Sequence, residues 1–255
     1  MALALPKLRR RRDPEGTMSV VQHLEEFRRR LFYAIIAWIV LACVAYAFYD
    51  QILGLLRLPL EEGGRIGDVV VDDLYVSGIG TAFFLKIKVS AFAGLVLAWP
   101  VIFWQIWRFI TPGLRKNEKR WAVGFVAASV LLFALGAFIA YVLLPVGINW
   151  LLAFAVEPGL TPLLQFNDYI NFVTLMILAF GISFEFPLIL VFLAAVGMIG
   201  SDTLRGKRRW AFLGMFIIAA VATPSGDPLS QIMLAVPLYL LYEGALLFIR
   251  FVLRK

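Results

Sequence analysis

Six apolar runs, at residues 31–49, 83–107, 121–148, 169–199, 210–222 and 229–248, are separated by connectors whose charge alternates in sign. That pattern leaves few folds open. A helix needs about 20 mostly apolar residues to cross the hydrocarbon core of a bilayer, and the first four runs meet or approach that length. With the first run entering from the cytoplasm, tail 1–30, connector 108–120, connector 200–209 and tail 249–255 hold 8, 5, 4 and 3 Lys/Arg, which is 20 of the 24 in the chain. The other side keeps Arg57, Arg65, Lys86 and Lys88 together with nine of the seventeen carboxylates. Reversing the orientation would invert the positive-inside bias at every connector. The expected fold class is all-α: a polytopic membrane protein with six transmembrane helices, both termini cytoplasmic and the last two helices short.

Composition excludes other classes. With 62% hydrophobic and only 16% charged residues, the chain is far from a soluble domain at about 25% charged. A net charge of +7 would suggest nucleic acid in a soluble protein. Here the cytoplasmic connectors account for it, so it reports topology and no nucleic-acid partner is expected. The single cysteine, Cys43, lies inside the first run and rules out an intrachain disulfide. Residues 1–30 are too long and too charged for a signal-peptide leader. The run after them ends in Tyr49-Asp50 rather than a small-residue cleavage site, so a retained first helix is expected.

The expected organisation is a cytoplasmic tail (1–30), a six-helix domain (31–248) and a cytoplasmic tail (249–255). Outer loops fall at 50–82, 149–168 and 223–228, and inner loops at 108–120 and 200–209. Residues 1–17 are basic and predicted disordered. From Val20, the spacing of Val20, Leu24, Phe27 and Leu31 predicts an amphipathic helix at the cytoplasmic surface, turning into the first span. Connector 50–82 is long enough to fold over the outer face as a cap, with Val69-Val70-Val71 as a short extended piece. Pro100 is expected to kink the second span, and Pro187 follows Glu185 near the centre of the fourth. The 13-residue run 210–222 reaches only about 20 Å. With the run after it, this is either a re-entrant hairpin or two short crossings; the flanking basic residues favour crossings, beside which the bilayer must thin or neighbouring helices must shield them.

Enzyme motifs are absent: no HExxH, no phosphate-cradling glycine loop, no paired cysteines, no nucleophile elbow. His23 is the only histidine, so no metal site, cofactor or catalytic triad is expected. Three polar groups remain. Glu25-Glu26-Phe27-Arg28-Arg29-Arg30 opens the first span; its arginines read as interfacial anchors, but acidic residues add nothing to the positive-inside bias. Arg115-Lys116-Asn117-Glu118-Lys119-Arg120 again places a carboxylate inside a basic loop, which by itself also describes a solvated turn. The third group is intramembrane: Glu185, with Gln231 and Glu243 on the last span. A carboxylate at that depth costs about 2.5–3.5 kcal/mol or more and is a functional candidate by default. The alternative is a hydrogen bond that glues helices together, and it suits Glu243 better than Glu185.

The run His23-Leu24-Glu25-Glu26-Phe27-Arg28-Arg29-Arg30-Leu31 resembles the HLxELRxRL signature of TatC, the receptor subunit of the twin-arginine protein translocase. The resemblance continues through Leu58-Pro59-Leu60, Pro100 to Trp107, Phe109 to Leu114, Asn117 to Arg120, Phe180 to Pro187 and Asp227 to Gln231. It implies a receptor for the twin-arginine signal peptides of folded cargo, working with TatA/TatB-type single-span partners and other copies of itself, driven by the proton motive force. The membrane implied is the cytoplasmic (inner) membrane of a prokaryote. Glu26 and Glu118 match the carboxylates that engage the signal's arginines, with Leu24, Arg28 and Phe109 shaping that surface. Guanidinium is planar and always charged, and a carboxylate accepts two parallel hydrogen bonds from it. By the same resemblance Glu185 faces a concave lipid-exposed groove and, with Thr223 and Gln231, contacts partner helices. Pro59 and Asp227 match structural positions at the outer face. Two departures stand out. Asn117 replaces a frequent histidine, and the turn Thr223-Pro224-Ser225-Gly226-Asp227-Pro228 is one residue longer than the commoner form. On the residues alone, a proton-coupled small-solute transporter using Glu185 and Glu243, or a passive helix scaffold, remains open.

Overall fold

The computed structural model describes residues 20–66, 69–71, 73–110, 122–155 and 163–253. It is helical almost throughout. Helix α1 spans Val20–Ala47, α2 Tyr49–Gly63, α3 Thr81–Ile110 and α4 Ala122–Ala153. They are followed by α5 Phe166–Ser183, α6 Phe186–Ala195, α7 Ser201–Gly206, α8 Arg208–Ala222 and α9 Pro228–Phe248, which ends in a wider turn over Ile249–Leu253. Five segments, Val20–Ala47, Thr81–Ile110, Val123–Ala153, Phe166–Ala195 and Pro228–Leu253, are long and apolar enough to cross a membrane. Helix α8 has 15 residues, about 22 Å of helix, and is shorter than any of those five segments. The expectation of two short final helices fails for α9, because its helical course continues to Leu253.

Helix α1 has no bend between surface and span. Residues 20–47 contain neither glycine nor proline, so nothing interrupts the backbone ladder, and the predicted amphipathic segment and the first span are one rod. It packs on α3, and only 6% of its apolar window is buried, against 56% for the α5–α6 window. The core therefore surrounds α5: Tyr169, Ile170, Val173, Met176 and Phe180 meet Leu144 of α4, Met215 of α8, and Leu234 and Leu238 of α9. Because lipid tails are as apolar as leucine, close helix approach rests on small residues. A Cβ on Gly94 would fall 2.5 Å from Ala42 Cα on α1, and one on Gly181 would fall 2.6 Å from the Phe133 ring.

At one end of the bundle, the connector between α1 and α3 forms a cap, as its length allows. Its first half is helical rather than loop, since α2 buries Leu56, Pro59, Leu60 and Gly63. Pro59 lacks the N–H that would satisfy the Leu55 carbonyl, and Tyr141 Oη donates to that carbonyl at 2.7 Å instead. Tyr169 Oη donates to the Leu56 carbonyl at 2.6 Å. Beyond α2, β1 (Arg65–Ile66) pairs antiparallel with β2 (Val69–Val70), and β3 (Leu74–Tyr75) pairs parallel with β4 (Leu164–Gln165). This is the strand end; the opposite, basic end holds the start of α1 and the end of α3.

Candidate functional site

At the basic end, α1 and α3 are clasped by rings. Phe109 stacks on His23, with centroids 4.3 Å apart, and meets Phe27 edge-on at 5.4 Å. Below them a groove of ≈ 270 Å³ is lined by Phe27, Arg30, Leu31, Ile102, Gln105 and Phe109. Glu26 is bound to Arg30, one of the residues lining the groove. One carboxylate oxygen accepts from Arg30 Nε at 2.7 Å and the other from Arg29 Nη2. Helical spacing produces this pairing, since residues three and four apart share a face. Partial burial pushes the Glu26 carboxyl up, but the hydrogen bond and charge of Arg30, then those of Arg29, outweigh it and hold the group below its ordinary value. Arg30 also donates to Gln105 Oε1 at 3.3 Å and is 12% exposed, whereas Arg29 is 58% exposed. Leu24 and Arg28 lie exposed on the same stretch of α1. Glu118 and Asn117 lie outside the described residues, so the second carboxylate has no position to compare with the first.

A second site lies where the fourth span breaks. Helix α5 ends at Ser183 and α6 begins at Phe186, with Pro187 in its first turn. Pro187 cannot donate to the carbonyl of Ser183, and Glu185 occupies the position just before the new helix. Glu185 is 5% exposed. Ser129 Oγ donates to Oε1 at 2.7 Å, and Trp99 Nε1 donates to the same oxygen at 3.1 Å. Trp99 is itself stacked on Phe133 at 4.1 Å. Among the described residues, Oε2 is buried with no hydrogen-bond partner. A buried acceptor left unused is uncommon and calls for an explanation.

Thr223 directly follows α8, and Gln231 lies near the start of α9. Thr223 Oγ1 donates to the Ala219 carbonyl at 2.9 Å, and Gln231 Nε2 to the Gly226 carbonyl at 2.9 Å. Among the described residues, no hydrogen bond joins either to Glu185. Asp227 caps α9: Oδ1 accepts from the Ser230 backbone N–H at 2.8 Å and Oδ2 from Ser225 Oγ. Burial pushes its carboxyl up, and the hydrogen bonds from Ser225 and Ser230 bring it below the ordinary range. The extra residue in the turn between α8 and α9, Gly226, takes φ +61°, a left-handed conformation that glycine adopts freely. Glu243 pairs with Arg208 at 2.5 Å and accepts from Tyr239 Oη at 3.1 Å, so it ties α8 to α9.

Sequence reasoning missed Trp99 and Ser129 as partners of Glu185. Trp99 was notable only as the neighbour of Pro100, and Ser129 is a lone hydroxyl within a long apolar run. The self-pairing of Glu26 was signalled by the i+3 and i+4 arginines.

Comparison with known proteins accounts for this arrangement as a whole. Residues 22–237 match the family described as Sec-independent protein translocase protein (TatC). The TatC of Frankia casuarinae is 38% identical over 246 residues, covering 94% of this chain and 67% of that protein. The TatC of Campylobacter jejuni is 37% identical over 229 residues, covering 89% of this chain and 92% of that protein. A crystal structure of the twin-arginine translocase receptor TatC in DDM superposes with a TM-score of 0.75 at 34% identity, over 89% of this chain and 99% of that one. The chain belongs to the TatC family: it is a membrane-embedded subunit of the Sec-independent, twin-arginine protein translocase and not an enzyme.

Proposed function

We propose that this subunit is the translocase's signal receptor, binding the paired arginines of a cargo signal peptide at the basic end of α1 and α3. One observation carries the reading: Glu26 already accepts hydrogen bonds from two adjacent guanidinium groups, one on each oxygen. A cargo arginine needs only to replace the exposed one. The groove beside it, walled by Phe27 and Phe109, offers apolar surface to the residues that follow the arginines. Glu118 would supply the second acceptor, with Leu24, Arg28 and Phe109 shaping the surface.

In this reading the chain crosses the cytoplasmic membrane of a prokaryote six times with both ends inside, α8 counting as a crossing despite its length. The domain limits are then the tails and the six-helix body between residues 31 and 248. Glu185, with Thr223 and Gln231, serves contact with TatA/TatB-type partner helices: its spare oxygen is buried in the unbound chain, so a partner's polar residue reaches it only after the surrounding side chains part, with other copies of the chain assembling around it. Cargo then moves on the proton motive force. Pro59 and Asp227 serve the architecture of the outer face.

Photo-crosslinking of an Arg-Arg signal peptide to Glu26→Ala combined with Glu118→Ala tests the receptor reading. Crosslinking should vanish while membrane insertion persists. Undiminished crosslinking in that inserted variant would end it.

A further inference from the structure

Two lysines interrupt the apolar opening of α3, on the side of the membrane where the charge bias disfavours cations. Being two residues apart, Lys86 and Lys88 occupy different faces of the helix. Lys86 is accounted for: its Nζ lies 4.6 Å from the Tyr46 ring centroid and 5.2 Å from that of Tyr49, so two π-faces shelter its charge. Lys88 is not. Its part-buried Nζ donates to Asn167 Oδ1 at 2.6 Å and to Asn171 Oδ1 at 2.9 Å. Both are neutral amides, presented four residues apart by one face of α5. Among the described residues no carboxylate forms an ion pair with Lys88; Asp168, next to Asn167, is turned to the exposed surface.

The consequence is a cluster with one kind of chemistry. An ammonium has three donors and no acceptor. It takes the Oδ1 of each asparagine, which leaves the amide NH₂ groups and the third ammonium proton as the cluster's further donors. A partly desolvated cation whose described partners are both neutral is poorly compensated, and the complement to a donor-rich cationic cluster is an oxyanion. The cluster lies about 10 Å along α3 from its first residue, within reach of the interface for a lysine stem. The exposed rings of Phe83 and Phe84 stand in the turn before it.

We infer that Lys88, Asn167 and Asn171 form a phosphate-binding site between α3 and α5 at the strand end, and that its occupant is the phosphodiester headgroup of a bilayer lipid. The site is independent of Glu26 and of the receptor reading.

The test uses the full chain, stripped of lipid in a nonionic detergent. It is titrated with phosphatidylglycerol, with a diacylglycerol of the same chains, and with phosphatidylglycerol in competition with inorganic phosphate. Bound lipid is counted by native mass spectrometry. Phosphatidylglycerol should be retained, the diacylglycerol should not, and inorganic phosphate should fail to displace the lipid; displacement by phosphate alone would overturn the lipid assignment in favour of the free anion. Lys88→Gln should weaken retention about tenfold, the size expected for losing hydrogen bonds from a charged group, whereas Lys86→Gln should retain lipid as the parent does. Asn171→Asp conserves volume and gives the ammonium an internal counter-ion, so it should fold at least as well and still release the lipid. If Lys88→Gln does not fold, Asn171→Asp decides alone. Parental retention in Asn171→Asp, or in a folded Lys88→Gln, overturns the site.

Discussion

Exchange at Glu26 sets how much a cargo arginine gains by binding. In the unbound chain the carboxylate is held by Arg29 and Arg30. Arg30 is enclosed and tied also to Gln105, so the exposed Arg29 is the one a cargo residue displaces. Releasing an exposed i,i+3 pair gives up about 0.3–0.5 kcal/mol. Charge-assisted hydrogen bonds from the arriving guanidinium return about 1.5–3 kcal/mol. The difference, about 1–2.5 kcal/mol, corresponds to about 5- to 60-fold in Kd, and Glu26→Gln should weaken a labelled Arg-Arg signal peptide by that factor in fluorescence anisotropy on nanodisc-embedded protein. Arg29→Gln removes the competitor and should tighten binding about twofold. Because Glu26 is held below its ordinary carboxyl value of 4.5, affinity should stay level from about pH 8 to pH 5.5 and decline only as pH falls through the depressed value. Unchanged affinity in Glu26→Gln, or weaker binding in Arg29→Gln, would refute the exchange argument.

Two predictions concern the strand end. Tyr141→Phe should destabilise the chain by about 1 kcal/mol in detergent unfolding, since the Leu55 carbonyl loses its donor. In a Pro59→Ala background the helix supplies its own N–H there, so the same change should cost distinctly less; equal losses in both backgrounds would show that Tyr141 acts through packing alone. Asp227→Ala should cost about 1 kcal/mol as a lost N-cap. Since the folded Asp227 carboxyl lies below its ordinary 3.8, the stability it adds is present above that value and lost as pH falls through the depressed one. Urea unfolding at neutral and strongly acidic pH should find that the variant loses less on acidification than the parent; an equal loss would remove Asp227 from the acid response.

The spans were legible because hydrocarbon imposes one length and one composition on any helix that crosses it. Helix α2 was not. Pro59, Gly63, Gly64 and four charged residues obscure a stripe of Ile52, Leu56 and Leu60, and the surface that buries this stripe comes from α4 and α5, far away in sequence. The same distance hid the contacts of Glu185: the glutamate and Pro187 marked a special position, but Trp99 and Ser129 lie 86 and 56 residues away. The surroundings of Glu26 were written locally, in the helical offsets of Arg29 and Arg30, whereas its match to Glu118 rests on family resemblance.

The unbroken course of α1 has a mechanical consequence. Its 28 residues make a strut about 42 Å long, held to α3 at the basic end by Phe109 and Gln105 and close against it again where Ala42 meets Gly94. Glu26 lies about 24 Å along the helix to one side of that second contact and Ala47 about 7.5 Å to the other. A sideways pull at the basic end is therefore passed to α3 together with α1, with no break in α1 to absorb it.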